Sequence, residues 1–259
     1  MKSSSHKSAK PSHYNKQAEH YDSFNEEHSK VMNQVVKQIL TKYKVKSVLD
    51  LTCGTGSQVF YLANKGFNVS GYDINSKMID IAKNKLPEKS NIIFKKGDMR
   101  TTQAGEFDAV ITMFNAIGHL TKNDFLKAIH NIYLNLNKGG IYIFDIFNLN
   151  YLLDGDNITK LTIDWQRKSG NTVAREIQYS TIDKDGILAS YDIYHEQKGG
   201  SKPKISKDFQ TLQVYSSKQL KNMLENAGFK VLRICNVDAS RFSDKKSERM
   251  LVVARKIAI

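Results

Sequence analysis

Hydrophobic positions along this chain follow three periods, and the changes between them divide it. From 14 to 43 apolar residues recur at helical spacing, as in Val31, Val35, Val36, Ile39 and Leu40, which predicts a helix. Short β-rich runs come next: SVLDL (47–51), FNVSGYD (67–73), NIIFKKGD (91–98), FDAVITMF (107–114) and GIYIFDIF (140–147). Runs this apolar and this short belong in a parallel sheet buried on both faces. Helical stretches at 57–65, 75–85 and 122–136 separate them, the last behind Thr121 and Asp124 as a capping pair. The alternation predicts an α/β fold with a doubly wound sheet and right-handed crossovers.

After residue 150 the period falls to two. Segments 158–168, 171–182, 186–195 and 206–215 alternate polar and apolar residues, with turns at Ser169-Gly170, Asp185-Gly186 and Gly199-Gly200. They predict a smaller antiparallel β insertion that covers the main domain. Ser216 with Gln219 then forms a capping box, Gly228 stops the helix it opens, and 229–237 with 249–257 read as a strand pair. The expected organisation is a tail at 1–13, a main domain at 14–150 and 213–259, and the insertion at 151–212.

Composition narrows the class without naming a function. At 259 residues, 40% hydrophobic and with 3 Pro, the chain is globular, neither collagen-like nor mostly disordered. Cys53 and Cys235 form no disulfide framework, so a reducing compartment is expected. No apolar run nears the roughly 18 residues of a membrane span, and the first thirty residues hold no signal-peptide core, which predicts a cytoplasmic protein with no membrane partner. The net charge of +13 raises nucleic acid as a partner. Much of the excess lies at the ends: residues 1–13 carry Lys2, Lys7 and Lys10 without an acid and read as a flexible basic tail. Lysine offers point charges in place of the flat fork that reads phosphates and bases bidentately, so a solvated surface is favoured over a nucleic-acid footprint.

Candidate chemistry gathers at the ends of the first strands, where open α/β sheets bind ligands. LDLTCGTG (49–56) runs from strand into a glycine turn and then a helix, and Gly54 and Gly56 permit positive φ and close backbone approach. Asp73 ends the second strand, placed to accept both hydroxyls of a ribose. Asp98 ends the third, placed to accept from an exocyclic amine such as that of adenine. Tight turns and helix caps also use these residue types, but three strand ends agree. A dinucleotide site is disfavoured because the bulky Val59 stands where G-x-G-x-x-G/A needs a small residue.

These residues resemble the class I S-adenosylmethionine-dependent methyltransferases, over roughly 14–150 and again over 216–257. VLDLTCGTG (48–56) resembles their first motif, GYDINSKMIDIAK (71–83) the ribose motif, FKKGDMR (94–100) the adenine motif, and FDAVITMFNAIGHL (107–120) the fourth strand and its end. The resemblance implies a Rossmann-like seven-stranded sheet with S-adenosylmethionine as cofactor. It places Asp50 and Gly54 beside the methionine part, Asp73 at the ribose, and Asp98 with Met99 at the adenine, with Thr52, Gly56, Ile74 and Met113 also among the cofactor-binding residues; Thr52 stands where many members have Ala.

MFNAIGHL (113–120), the start HYNKQAEHYD (13–22) and the insertion look similar to small-molecule N-methyltransferases of the amino-sugar and glycine or sarcosine groups. That likeness implies Tyr14 or Tyr21 closing over the cofactor and His119 facing the acceptor, to orient or deprotonate it. Gln213 stands near the position of a basic residue in some sugar-modifying members, which weakens a nucleotide-sugar acceptor. No Cys is placed as a base-methylating nucleophile, FNAI (114–117) differs from the N-P-P-Y string of adenine-N6 enzymes, and no His/Cys cluster calls for a metal. The expected reaction is direct displacement onto a small-molecule acceptor, an amine above others. The alternatives are methylation of RNA or protein through the basic surface, and a non-catalytic adenosyl-ligand binding protein.

Overall fold

The computed structural model describes residues 6–15, 18, 21–158 and 163–257. Its main sheet has seven strands in the order β10-β11-β5-β4-β1-β2-β3. They are β1 (Ser47–Asp50), β2 (Asn68–Asp73), β3 (Ile93–Lys96), β4 (Phe107–Thr112), β5 (Leu136–Phe147), β10 (Phe229–Cys235) and β11 (Arg249–Lys256). The first five pair in parallel, in registers such as Val48↔Val69 and Leu49↔Val110. β11 runs antiparallel between β5 and β10. The chain order reverses between β1 and β4, and the carboxyl ends of these strands open there into a crevice.

Helices cover both faces because each carries one apolar stripe. Helix α1 (Tyr21–Lys42) sets Met32, Val35, Val36, Ile39 and Leu40 into one core with Val48, Val69 and Ile111, beside α2 (Ser57–Ala63) and α3 (Ser76–Asn84). On the opposite face α4 (Lys122–Leu134) and α7 (Ser217–Asn226) bury Phe125, Ile129, Leu220 and Leu224 against Leu49, Val110 and Phe144. Caps fix where these helices begin: Thr121 accepts from Asp124 N, Asn75 from Met78 N, and Ser216 with Gln219 closes the expected capping box.

The expected α/β architecture is present, with differences at its edges. The first helix starts at Tyr21 and not at 14, because residues 11–15 turn across the sheet ends. β5 starts at Leu136, inside the stretch read as helix, where Leu136 pairs with Phe107. Two short helices, α5 (Leu149–Leu152) and α6 (Gly155–Ile158), precede the insertion, which is a four-stranded antiparallel sheet of β6 (Ile163–Ser169), β7 (Thr172–Ile182), β8 (Ile187–Lys198) and β9 (Lys204–Gln213). Gly170, Gly186 and Gly199 take positive φ at its turns. A small third core of Leu149, Tyr151, Leu152, Leu188 and Val214 fastens this sheet to the end of β5. Among the described residues no helix is long and apolar enough to cross a membrane.

Candidate active site

Two cavities meet at the carboxyl ends of β1, β2 and β4. The first is an open-mouthed cleft of about 800 Å³, its mouth included, lined by Thr52, Gly54, Asp73, Ile74, Asp98, Met99, Met113, Tyr14 and His119, all expected from the sequence. Asp50 lies beneath this lining, 2% exposed, its carboxylate accepting from Thr52 N at 3.0 Å. Gly56 takes φ 89° at the cap of α2 and lies behind the cleft, where an added Cβ would fall 2.7 Å from the Phe94 ring. Its freedom serves packing of α2 on β3. Tyr21 opens α1; its side chain lies outside the described residues.

Asp73 is locked from both sides: Gly54 N donates to one carboxylate oxygen at 2.9 Å and Asn75 N to the other at 2.8 Å. Lone pairs remain on the cleft side, since an ionised carboxylate offers about four acceptor sites. Burial pushes Asp73 up from the ordinary carboxylate value, against the pull of those two N–H groups. Asp50 is pushed up to about 7, by burial first and then by Asp73 after the opposing Thr52 bond. Two acids this buried, held by backbone N–H groups and the Thr52 side chain, fit a ligand that brings positive charge. The Cys53 thiol, also buried beside them, is pushed well up and is no nucleophile at neutral pH.

Asp98 departs from its simple role. Arg100 clasps it through its Nε and a terminal nitrogen at 2.5–3.0 Å and reaches Asp124 at 2.7 Å. This triad fixes the β3 end to α4, leaving Met99 and the free edge of Asp98 toward the cleft. Sequence reading missed Arg100, although an Arg two residues past the acid was a visible signal.

The start of the chain roofs the cleft from His6 onward. Ala9 N donates to His119 O at 2.8 Å, and the Ser8 hydroxyl takes Thr121 N and donates to Asp124. His6 Nε2 donates to Leu120 O and its Nδ1 meets the Thr211 hydroxyl at 2.9 Å on β9. Asn15 accepts from the Asn75 amide. These contacts tie residues 6–15, most of which had been read as part of a tail, to α3, α4 and the insertion at once; they are polar, which is why no hydrophobic period announced them.

Tyr14 and His119, with Phe114, make the wall between the two cavities. The Tyr14 hydroxyl lies 2.6 Å from His119 Nε2, with the rings edge to face. Burial, with His13 and His6 nearby, lowers the His119 value to about 3, so the imidazole is neutral at physiological pH. The second cavity, about 760 Å³, lies beyond them and is lined by Phe147, Gln178, Ser180, Ser190, Gln210 and Glu248 among others. Gln213 does not face it: its amide donates to the carbonyls of Asp185, Gly186 and Val214 and closes the β7–β8 turn. A basic residue there would meet a turn and not an acceptor.

At the foot of this wall Phe114 and Asn115 both take left-handed φ, 62° and 59°. The buried Asp145 of β5 accepts from both backbone N–H groups and pairs with Arg249 of β11. A carboxylate inside the otherwise apolar run GIYIFDIF was the signal for this brace, and the sequence reading passed over it.

Comparisons with known proteins agree with this geometry. A model of the methyltransferase domain matches residues 48–140. YqeM of Bacillus subtilis (strain 168) is 27% identical over 222 residues, spanning 81% of this chain and 83% of its own. The glycine/sarcosine N-methyltransferase of Parasynechococcus marenigrum (strain WH8102) is 32% identical over 48% of this chain and 45% of its own. Among solved structures, an S-adenosylmethionine-dependent methyltransferase from Clostridium acetobutylicum ATCC 824 superposes with TM-score 0.74 at 18% identity, covering 95% of this chain and 99% of that one. The acids at three strand ends, the roofed cleft and the matching domain show an enzyme with an S-adenosylmethionine-dependent methyltransferase domain over residues 48–140, in a chain similar to small-molecule N-methyltransferases.

Proposed function

We propose that the chain methylates a small-molecule amine held in the second cavity. The observation that carries this reading is the shared wall: Tyr14, His119 and Phe114 line both cavities, so a group in the second meets the first across these three residues, of which the hydrogen-bonded Tyr14 and His119 supply the polar atoms. Bound in the first cavity, S-adenosylmethionine supplies a methyl group on a positively charged sulfur. Asp73 would hold the ribose, Met99 and Asp98 the adenine, and Asp50 with Gly54 the methionine end.

The chain's own residues then position and enclose. Residues 6–15 close the cleft to water, which strengthens every electrostatic contact inside it. His119 favours orientation over proton removal: with its value near 3, taking a proton from an ammonium is steeply uphill. As a neutral imidazole it fixes the Tyr14 hydroxyl through Nε2, and the remaining lone pair of that hydroxyl oxygen accepts an N–H of an amine that arrives deprotonated. The names of related proteins support nitrogen as the acceptor atom, among them an amino-sugar N,N-dimethyltransferase of Streptomyces venezuelae, 28% identical over 135 residues. The second cavity, a recess between the β5 end and the insertion sheet, supports a small molecule over an RNA or a protein surface. A screen of amine, carboxylate and hydroxyl metabolites for methyl transfer from labelled cofactor tests the reading; turnover confined to hydroxyl or carboxylate compounds would overturn it.

A further inference from the structure

Strand alternation extends the wall of the second cavity beyond the residues that line it. On the face of β7–β9 turned to the cavity, register places Ile182, Leu188 and Leu212 in one row, then Ser180, Ser190 and Gln210, then Gln178, Asp192 and Asp208, then Glu176, Tyr194 and Ser206. Successive rows on one face are roughly 7 Å apart. Three acids therefore stand on two adjacent rows, one step past Ser190 and Gln210, which themselves line the cavity.

This strip is not built for the stability of the sheet. Asp192 and Asp208 face each other directly across the β8–β9 pair, a like-charge juxtaposition that destabilises a sheet. Asp192 is 5% exposed, and one of its carboxylate oxygens is buried without a hydrogen-bond partner among the described residues. Burial first, then Glu176 and Asp208, push its value up to about 6. Tyr194 hydrogen-bonds with Glu176. By register the cations of this face stand beyond the acids: Lys204 and Arg167 share the row of Glu196, one step past Glu176, and Lys198 stands in the row after it. The residues lining the second cavity include Glu248 and neither Lys nor Arg. Among the described residues no three such side chains converge closely enough to hold a metal ion, so the cation that fits is an organic ammonium. An unpaired, desolvated carboxylate gains most from a charge-assisted hydrogen bond.

We propose that Asp192, Asp208 and Glu176 form an ammonium subsite, and that the acceptor is a diamine or larger polyamine whose second amine binds there while the first meets Tyr14 and His119. The proposal rests on the amine-acceptor reading above and adds the charge of the acceptor's far end. Gln210 links the two places: His13 Nε2 lies 3.3 Å from its side-chain oxygen, and its row adjoins the acids.

The test is calorimetry on the full chain saturated with S-adenosylhomocysteine, using 1,6-diaminohexane and 1-aminohexane as probes. The diamine should bind at least about tenfold more tightly than the monoamine. Asp192→Asn and Asp208→Asn should each reduce that advantage to less than about threefold, while hexylamine and S-adenosylhomocysteine affinities stay as in the parent. Asp208 is exposed, so its variant folds whatever Asp192→Asn does. Equal affinity of the parent for both probes would overturn the subsite and leave the amine reading standing. Failure of both probes to bind, with no amine methylated in the metabolite screen, would overturn the reading beneath it.

Discussion

Replacing Asp50 by Asn should stabilise the free protein and weaken its hold on the cofactor. Asp50 is 2% exposed, and its value rises from 3.8 to about 7. A shift of about three units, at about 1.4 kcal/mol each, makes its ionised form cost the native state about 4 kcal/mol at pH 8. The direction follows from proton counts. The folded chain keeps the Asp50 proton to higher pH than the unfolded chain does, so between about pH 4 and 7 this group's contribution falls as pH rises, and below about pH 4 it vanishes. Depressed acids such as Asp108 and Asp124 act in the opposite sense, adding stability above the ordinary carboxylate value and losing it as pH falls.

The Asn variant keeps an oxygen for Thr52 N but buries an NH₂ group, which offsets about 1–2 kcal/mol. A net gain of about 2–3 kcal/mol at pH 8 corresponds to roughly 4–12 °C in Tm for a chain of this size. Melting curves from pH 4 to 9 would show the variant's advantage shrinking toward acid and reversing near pH 4, where only the buried NH₂ group still separates the two proteins. Calorimetry supplies the second half: S-adenosylmethionine should lose about tenfold or more in affinity, and S-adenosylhomocysteine, whose sulfur is neutral, less. Parent binding near pH 6.5 should also release a proton, read from buffers of different ionisation enthalpy. A variant that melts below the parent at pH 8, with a gap that does not close toward pH 4, would refute the reasoning.

Other expectations follow from the same geometry. Asp73→Ala removes the carboxylate that Gly54 N and Asn75 N orient, and should weaken S-adenosylmethionine and S-adenosylhomocysteine alike by about tenfold or more, at about 1.5–3 kcal/mol per charged hydrogen bond; unchanged affinity by calorimetry would speak against a ribose role. His119→Asn should lower kcat by about 10²-fold with Tm and cofactor affinity nearly unchanged, and the parent's pH–rate profile should show no His119 step between pH 6 and 8; a Tm loss matching the activity loss would mean a structural role. Ser8→Ala breaks the bonds to Thr121 and Asp124 and should speed proteolysis within residues 6–15, an increase that cofactor reverses if this segment roofs the cleft. Equal cleavage with and without cofactor would remove the roof from the mechanism.

What could be read ahead of the structure was whatever leaves a local mark. Strands β1, β2 and β4 and the capped helices α4 and α7 have their own periods and caps, so their boundaries fell within a few residues. The acids at strand ends were legible for the same reason: Asp73 and Asp98 each follow a β-run directly. The brace of Asp145 with Arg249 was not, because its partners are 104 positions apart in sequence. Nor was the polar seating of residues 6–15, whose bonds run to Thr211, Leu120 and Asp124 and leave no pattern in the segment itself. The second cavity is the extreme case, since Gln178, Ser190 and Gln210 become one wall only through the register of three strands.

The sign of the net charge misleads about the ligands for a physical reason. Solvated lysines dominate the count of +13, yet at physiological salt a surface charge is screened over about 8 Å, and a water-facing Lys contributes little inside a roofed cavity. Buried carboxylates are few but act across a less polarisable medium, where each is worth several times more. Asp50 and Asp73 on the cofactor side, with Asp192 past the second cavity, hold values above the ordinary carboxylate range because burial leaves them short of compensating charge. Cationic ligands relieve that shortage at both ends. On the amine reading proposed above, the positive charge that passes from sulfur to nitrogen would stay within a negative field throughout the transfer.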